Sequence, residues 1–364
     1  MQSLFVIEQG ARISRRGDKV TVFVDGVKME DARIDELAQC VVMGNVAITP
    51  QAVKALTKNG VDIVFTSRTG QFIGRMSGGL SRNILLRQSQ FRRLESEDNR
   101  LDIAKRVVAG KIENQRRLLA RYQKRRPHES IMQSLVFLRH SQRRVSAAMN
   151  LDELRGVEGS AGASYFSCWK NLLSAEDITF TRRMRRPPPD PVNILLSFGY
   201  TQLCNAIHAM VETSGMDPFL GALHAVKYGR PSLVLDIVEE FRPVIVDATV
   251  LRVINSGIIS LRDFQSRLEK DAQAEKTLLE NAYAENGNPV SRDATPKDGP
   301  PPTLFLKSGI KKWVVEYQRR MQTIAYYPPR GVQMRMDQII LAQVYLMAKH
   351  MESGMGYESF LSPR

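Results

Sequence analysis

The sequence predicts an α+β protein, a small amino-terminal β-rich domain followed by a larger all-α domain. Two textures along the 364 residues predict it. The first eighty residues carry short apolar runs punctuated by turn dipeptides; after Gly78-Gly79, apolar residues recur at helical spacing amid abundant Arg and Gln. The boundaries expected from this shift are a β-rich domain at 1–80, a linker at 81–90 and an α-helical domain at 91–364.

In the first domain Leu4 to Ile7 and Val20 to Val24 read as strands, and Asp25-Gly26 as a hairpin signal. Val41-Val42-Met43 and Val46-Ala47-Ile48 flank a second turn, Gly44-Asn45. Pro50 to Asn59 reads as a short helix and Val61 to Phe65 as a buried strand; residues 66–74 form a polar turn and a last strand bent at Gly70. Helices are then expected over 82–96, 98–122, 128–149, 159–174, 190–213, 232–241, 245–256, 260–284, 304–326 and 333–352. Residues 285–303 mix Asn, Gly, Pro, Asp and Lys without periodicity and read as a flexible surface loop.

Composition narrows the class. With 43% hydrophobic residues and no run of eighteen apolar ones, neither a transmembrane helix nor a membrane partner is expected. Met1 to Glu8 lacks a basic stretch leading into an apolar core, so a secretory signal is not expected. Cys40, Cys168 and Cys204 are too scattered for a disulfide framework or a zinc spacing; they are expected as small core residues in a reducing cytoplasm. The net charge of +14 is concentrated: residues 82–144 hold 17 Lys or Arg against 6 Asp or Glu. Arg116-Arg117 lies inside that segment, and Arg182-Arg183 with Arg185-Arg186 forms a second cluster before Pro187-Pro188-Pro189. An acidic protein, an anionic membrane or plain solvent would also suit such patches. Because arginine dominates and no membrane anchor is evident, a phosphate backbone is favoured.

Residues 219–243 carry the chemistry. His224 precedes a turn at Gly229-Arg230-Pro231, with Ser232 placed to cap a helix. Leu233, Val234, Ile237, Val238 and Phe241 then recur at helical spacing, with Asp236 one turn before Glu239 and Glu240. Carboxylates on such a helix form either a solvated face or, among so many apolar neighbours, a site for a cation. One imidazole with hard carboxylate oxygens suits Mg²⁺ or Mn²⁺ better than a thiolate cage.

With its surroundings, the chain resembles the family of the first CRISPR-associated protein, the adaptation integrase and endonuclease. The resemblance rests on Arg155-Gly156-Val157-Glu158-Gly159, Tyr165-Phe166, Arg186-Pro187-Pro188-Pro189-Asp190-Pro191-Val192-Asn193 and Leu195-Leu196-Ser197-Phe198-Gly199-Tyr200. It continues through Gly215-Met216-Asp217-Pro218, Leu223-His224, Gly229-Arg230-Pro231-Ser232-Leu233, Asp236, Glu239-Glu240-Phe241-Arg242-Pro243 and Val246-Asp247. Gly44-Asn45-Val46 and Phe65-Thr66-Ser67-Arg68 carry it into the β-rich part. Two departures, Gly162 and a long 285–303 loop, touch no proposed ligand.

The resemblance implies Glu158, His224 and Glu239 as catalytic residues and ligands of one Mg²⁺ or Mn²⁺, so that the larger domain is the catalytic one. It implies Asp236 as an accessory group, with Arg230 and Tyr165 as further accessory candidates and Glu240 as a solvated charge. Glu158, followed by Gly159, is expected to open a helix. Arg183, Arg185, Arg186, Arg116 and Arg117 are the DNA-binding candidates. The implied reaction is insertion of short foreign DNA into a CRISPR array, with double-stranded DNA, both protospacer and array, as substrate. A homodimer through the β-rich domain and a heterohexamer with the small second CRISPR-associated protein are the implied assemblies. The competing readings are a transposon-type integrase of the same superfamily and a non-catalytic basic DNA-binding scaffold.

Overall fold

A computed structural model describes residues 2–68, 70–79, 83–175, 177–184, 188–266 and 303–363. Its first part is built from two four-stranded sheets. One has the order β1 (Gln2–Val6), β5 (Leu37–Met43), β7 (Asp62–Thr66), β8 (Phe72–Met76), parallel but for the last pair. The other has the order β4 (Val27–Arg33), β3 (Lys19–Val24), β2 (Arg12–Arg16), β6 (Ala47–Ile48). The β3–β4 hairpin turns at Asp25-Gly26, both at positive φ, as the sequence predicts. The chain passes from one sheet to the other at Gly44, whose φ of 75° the turn requires. α1 (Pro50–Lys58) begins at the Thr49 cap with proline in its first turn.

Strand β5 shows why Leu-Ala-Gln-Cys-Val-Val-Met is apolar almost throughout. Cys40 and Val42 enter a small core with Leu4, Ile13, Val20, Leu56 and Ile63. Val41 and Met43, on the opposite face, join the large core of the helical part. Period-two alternation thus divides one strand between two cores, and a sheet covered on both faces reads as a continuous apolar run.

The helical part comprises α2 (Ile84–Glu95), α3 (Glu97–Arg125), α4 (Glu129–Ala147), α5 (Leu151–Ser167), α6 (Pro191–Ser214), α7 (Ser232–Phe241) and α8 (Ala248–Asn255). α9 (Lys307–Met321) and α10 (Met336–Ser353) follow. By length and composition α6 could cross a membrane; here Val192, Leu195, Leu196, Leu203, Ile207 and Val211 are buried core residues. Its Gln202 accepts a 3.0 Å hydrogen bond from the Trp313 indole. Asp190 caps it, accepting from the Asn193 amide at 2.8 Å, and Gly215 at φ 96° ends it.

Several sequence expectations change. The helix expected over 159–174 starts at Leu151, because the Asn150 side chain accepts from the Asp152 and Glu153 amides. Glu158 therefore sits mid-helix. The helix expected from 260 begins instead as a single 3₁₀ turn under a Ser260–Asp263 capping box and continues as β9 (Phe264–Ser266); residues 267–284 lie outside the described part. β9 pairs with β10 (Thr303–Phe305), so the expected loop ends in a strand at 303, its residues 285–302 also lying outside the described part. Beyond α9 the chain forms a hairpin, β11 (Ile324–Tyr327) and β12 (Val332–Arg335), where helix was expected up to 326. Tyr326 paired across from Gln333 and Gly331 in the turn mark it. Cys40 and Cys168 are buried, Cys204 is half-buried, and none of the three is in a disulfide.

Candidate active site

Helix α7 is buried on every side: Asp236 and Glu240 are fully buried and Glu239 nearly so. Ser232, expected to cap it, is its first residue instead, and its hydroxyl donates to the Ala225 carbonyl at 3.1 Å. Asp236 anchors the preceding loop. Its Oδ2 accepts from the amides of Ala222 (2.6 Å) and Leu223 (3.1 Å), and its Oδ1 from the His224 amide (3.1 Å) and the His224 ring Nδ1 (2.6 Å). A carboxylate only accepts, so Nδ1 carries the hydrogen, and in the neutral ring the lone pair is then on Nε2. That nitrogen points toward Glu239 Oε1, 3.7 Å away. Gly221 makes the close packing feasible, since a Cβ there would lie 2.6 Å from Asp236 Oδ2. From α5, Arg155 Nε donates to the Leu223 carbonyl at 3.0 Å and ties that helix to the same loop.

Glu158, on α5, faces this cluster across a residue that sequence reading missed. Lys111 of α3 places its ammonium between two carboxylates: it hydrogen-bonds Glu158 Oε1 and stands 2.6 Å from Glu239 Oε2. The second approach is an ion pair, and Glu239 Oε2 is buried against that ammonium. Arg242 Nη1 takes the other oxygen of Glu239 at 2.6 Å. Burial alone would raise the Glu239 acid, but Arg242 and Lys111 outweigh it, the His224 ring adding to them when charged, and hold the carboxyl well below the usual carboxylate range. For Lys111 burial opposes the charge, yet Glu239 and Glu158 prevail and keep it an ammonium.

Among the described residues no three His, Cys, Asp or Glu side chains converge tightly enough to hold an ion as they stand. The Lys111 ammonium separates two of the three expected ligands. Even so, the donor set fits a divalent ion. Nε2 and two carboxylates supply one borderline and two hard donors, Asp236 orients the imidazole from behind, and the ammonium between Glu158 and Glu239 marks a place where positive charge is favoured.

After Phe241 the helix widens into one π turn, Arg242–Asp247, before α8. Pro243 has no amide hydrogen for the α pattern. Asn114 and Arg320 donate to the Glu240 and Val244 carbonyls, at 2.8 and 2.7 Å. The turn brings Asp247 under two tyrosines, accepting from Tyr165 at 2.8 Å and Tyr200 at 2.6 Å. Burial pushes the Asp247 acid up to about 6 despite those bonds. A cleft of about 470 Å³ opens beside Glu158, lined among others by Lys111, Arg182, Arg183, Tyr200 and Arg242. Arg183 and Arg242 both lie over the Tyr200 ring, 5.5 and 5.0 Å from its centre. The arrangement joins a carboxylate–imidazole cluster to a cationic cleft.

The other expected site residues are placed as follows. Tyr165 is fully buried and serves Asp247, so it does not face a ligand. Arg230 stands in the turn before α7; the cations that reach Glu239 are Lys111 and Arg242. Arg116 and Arg117 both pair with Glu113, and Arg117 also donates to the Ser362 carbonyl. Arg183 lines the cleft, while Arg185 and Arg186 lie outside the described residues. Glu240, expected as a solvated charge, is wholly buried: Tyr357 and Gln343 donate to it, and the Phe360 amide does so at 2.5 Å. It holds the last residues of the described chain against α3, where Asn114 bonds both the Phe360 carbonyl and the Ser362 amide at 2.8 Å.

The sequence profile described as CRISPR associated protein Cas1 matches residues 4–284. CRISPR-associated endonuclease Cas1 1 of Chlorobaculum tepidum is 37% identical over 289 residues, covering 77% of this chain and 84% of the relative. A Cas1 protein from Thermotoga maritima has the same fold, with a TM-score of 0.74 at 21% identity over all of both chains. A casposase bound to its integration product also has this fold, with a TM-score of 0.79 at 20% identity over 100% of this chain and 94% of that one. The profile match over most of its length and the 37% identity place this chain in the Cas1 family of CRISPR-associated proteins.

Proposed function

We propose that this chain is a divalent-metal-dependent DNA integrase and endonuclease that inserts short foreign DNA fragments into a CRISPR array. The observation that carries the site assignment is a chain of contacts beside a cationic cleft: the Lys111 ammonium joins Glu158 of α5 to Glu239 of α7, whose other oxygen lies 3.7 Å from His224 Nε2. Family membership supports the activity. In the reaction a fragment's 3′-hydroxyl oxygen bonds to an array phosphorus, one array P–O bond breaks, and the departing 3′-oxygen takes up a proton. Water as the nucleophile gives hydrolysis at the same centre. Such in-line transfers depend on positioning and on neutralising phosphate charge. Arg182 and Arg183 on the cleft wall neutralise and orient the phosphodiester. Asp236 fixes the imidazole so that Nε2 faces the cluster. Glu158, His224 Nε2 and Glu239 would hold Mg²⁺ or Mn²⁺, which when bound supplies Lewis acidity and activates the attacking hydroxyl.

Double-stranded DNA is the proposed substrate, as protospacer and array. The proposed assembly is a homodimer through the β-rich part, joined by the small second CRISPR-associated protein into a heterohexamer. Phe72, Ile73 and Met76 are exposed apolar side chains on edge strand β8 and support a partner along that edge. The test is strand transfer from a protospacer duplex into a supercoiled array plasmid, with the small partner and Mn²⁺ or Mg²⁺ present. Products are expected to disappear with EDTA and with Glu239→Ala while DNA binding persists. Equal product from Glu239→Ala would overturn the site assignment.

A further inference from the structure

We propose that Lys111 is a built-in counter-ion that competes with the divalent cation for Glu158 and Glu239, and that cation binding moves its ammonium into the cleft. This rests on the metal reading above. The ammonium sits between one oxygen of Glu158 and one of Glu239, with only 9% of its side chain exposed. Two facing carboxylates, one of them the buried Glu239, repel unless a cation lies between them. Lys111 supplies that cation from within the chain, so the site folds without an ion.

The same position makes Lys111 an obstacle. A divalent cation bound to both carboxylates would sit within a few ångströms of the ammonium, and like charges at that separation are strongly unfavourable in a poorly solvated site. One of them must leave. Lys111 hangs from α3 on a flexible four-carbon stem and already lines the cleft that Arg182 and Arg183 also line. Displacement in that direction takes its charge toward the open cleft and turns it toward an incoming phosphate. Arg242, on the other oxygen of Glu239, has its guanidinium fixed over the Tyr200 ring and is not the group that yields. Lys111 is thus a positioning residue that acts through the two ligands.

The decisive measurement is Mn²⁺ affinity by titration calorimetry, with melting temperature followed in EDTA and in saturating Mn²⁺. Lys111→Met removes the competitor and leaves the carboxylates uncompensated, so Mn²⁺ is expected to bind about tenfold or more tightly than to wild type. The mutant is also expected to melt lower in EDTA and to gain more on adding Mn²⁺. Lys111→Arg, which keeps the charge, is expected to stay within about threefold of wild-type affinity. Unchanged or weaker Mn²⁺ binding by Lys111→Met would overturn the proposal, since a merely structural lysine would give that result. Should Lys111→Met fail to fold without metal, Lys111→Gln carries the same measurement. If wild type binds no Mn²⁺, or Glu239→Gln binds it as well as wild type, the metal reading itself falls and takes this inference with it.

Discussion

Asp236→Asn tests whether one buried carboxylate organises the site. In the wild type its two oxygens accept four hydrogen bonds, from the amides of Ala222, Leu223 and His224 and from the His224 ring. Asparagine offers one acceptor oxygen and one NH₂ group, so either orientation turns a donor toward two buried N–H groups. Losing a hydrogen bond to a charged acceptor costs about 1.5–3 kcal/mol. Two such losses, softened by some movement of the loop, make an expected destabilisation of about 3 kcal/mol. The accompanying fall in Tm is expected to be roughly 5 °C or more. The ring also loses its fixed tautomer, and disturbing such an orienting partner typically weakens metal binding by about 10–100-fold. Thermal melting in EDTA and Mn²⁺ calorimetry read the two effects separately. Melting within about 1 °C of wild type would refute Asp236 as the anchor of the loop. An Mn²⁺ affinity within about twofold would refute it as the orienter of His224.

Two further outcomes follow from the same packing. Gly221→Ala places a Cβ 2.6 Å from Asp236 Oδ2 and 2.7 Å from the Leu233 amide nitrogen. It is expected to lose about 2 kcal/mol in urea unfolding, and an unchanged midpoint would show that the loop has slack. Glu240 gives a pH signature. Burial pushes its acid up to about 7 from an ordinary 4.5, against the hydrogen bonds it accepts, so the folded chain holds a proton there that the unfolded chain releases. Its contribution to stability is therefore complete below about pH 4.5 and is lost as pH rises toward 7. Glu240→Gln cannot titrate, so relative to wild type it should gain about 3 kcal/mol between pH 5 and pH 8 in paired unfolding titrations. Parallel pH profiles for the two proteins would contradict the buried acid.

The legible and illegible parts of the sequence divide along a physical line. Turns and periodicity are local, and they placed the Asp25-Gly26 hairpin, α6, and α7 with its Asp236 and Glu239 to within a residue or two. Glu158 lies 66 positions before His224 and enters the site through tertiary packing, so it came into view only through family resemblance. Lys111 looked like one more cation in a basic segment. Yet Ala104, Val108, Lys111, Gln115 and Leu118 mark one helical stripe, and a lysine on an apolar stripe calls for a buried counter-charge. Glu240 was misjudged for the same reason. Leu233, Ile237 and Glu240 share a face of a helix whose other faces are buried too, leaving no side for solvent. The Asp247–tyrosine network depends on the wide turn after Phe241, for which Pro243 was the one local sign.

That wide turn works as a phase shifter. An α-helix rotates by about 100° per residue, and a π turn delays this rotation by one residue. The rod can therefore aim Glu239 and Arg242 at the carboxylate cluster and still bring Asp247 beneath Tyr165 and Tyr200. Removing one residue between Arg242 and Asp247 would restore the ordinary pitch by taking out the extra residue that the wide turn absorbs. Length is consequently as informative as residue identity over these six positions. Pro243, Val244, Ile245, Val246 and Asp247 are all buried there, so packing as well as length holds the turn.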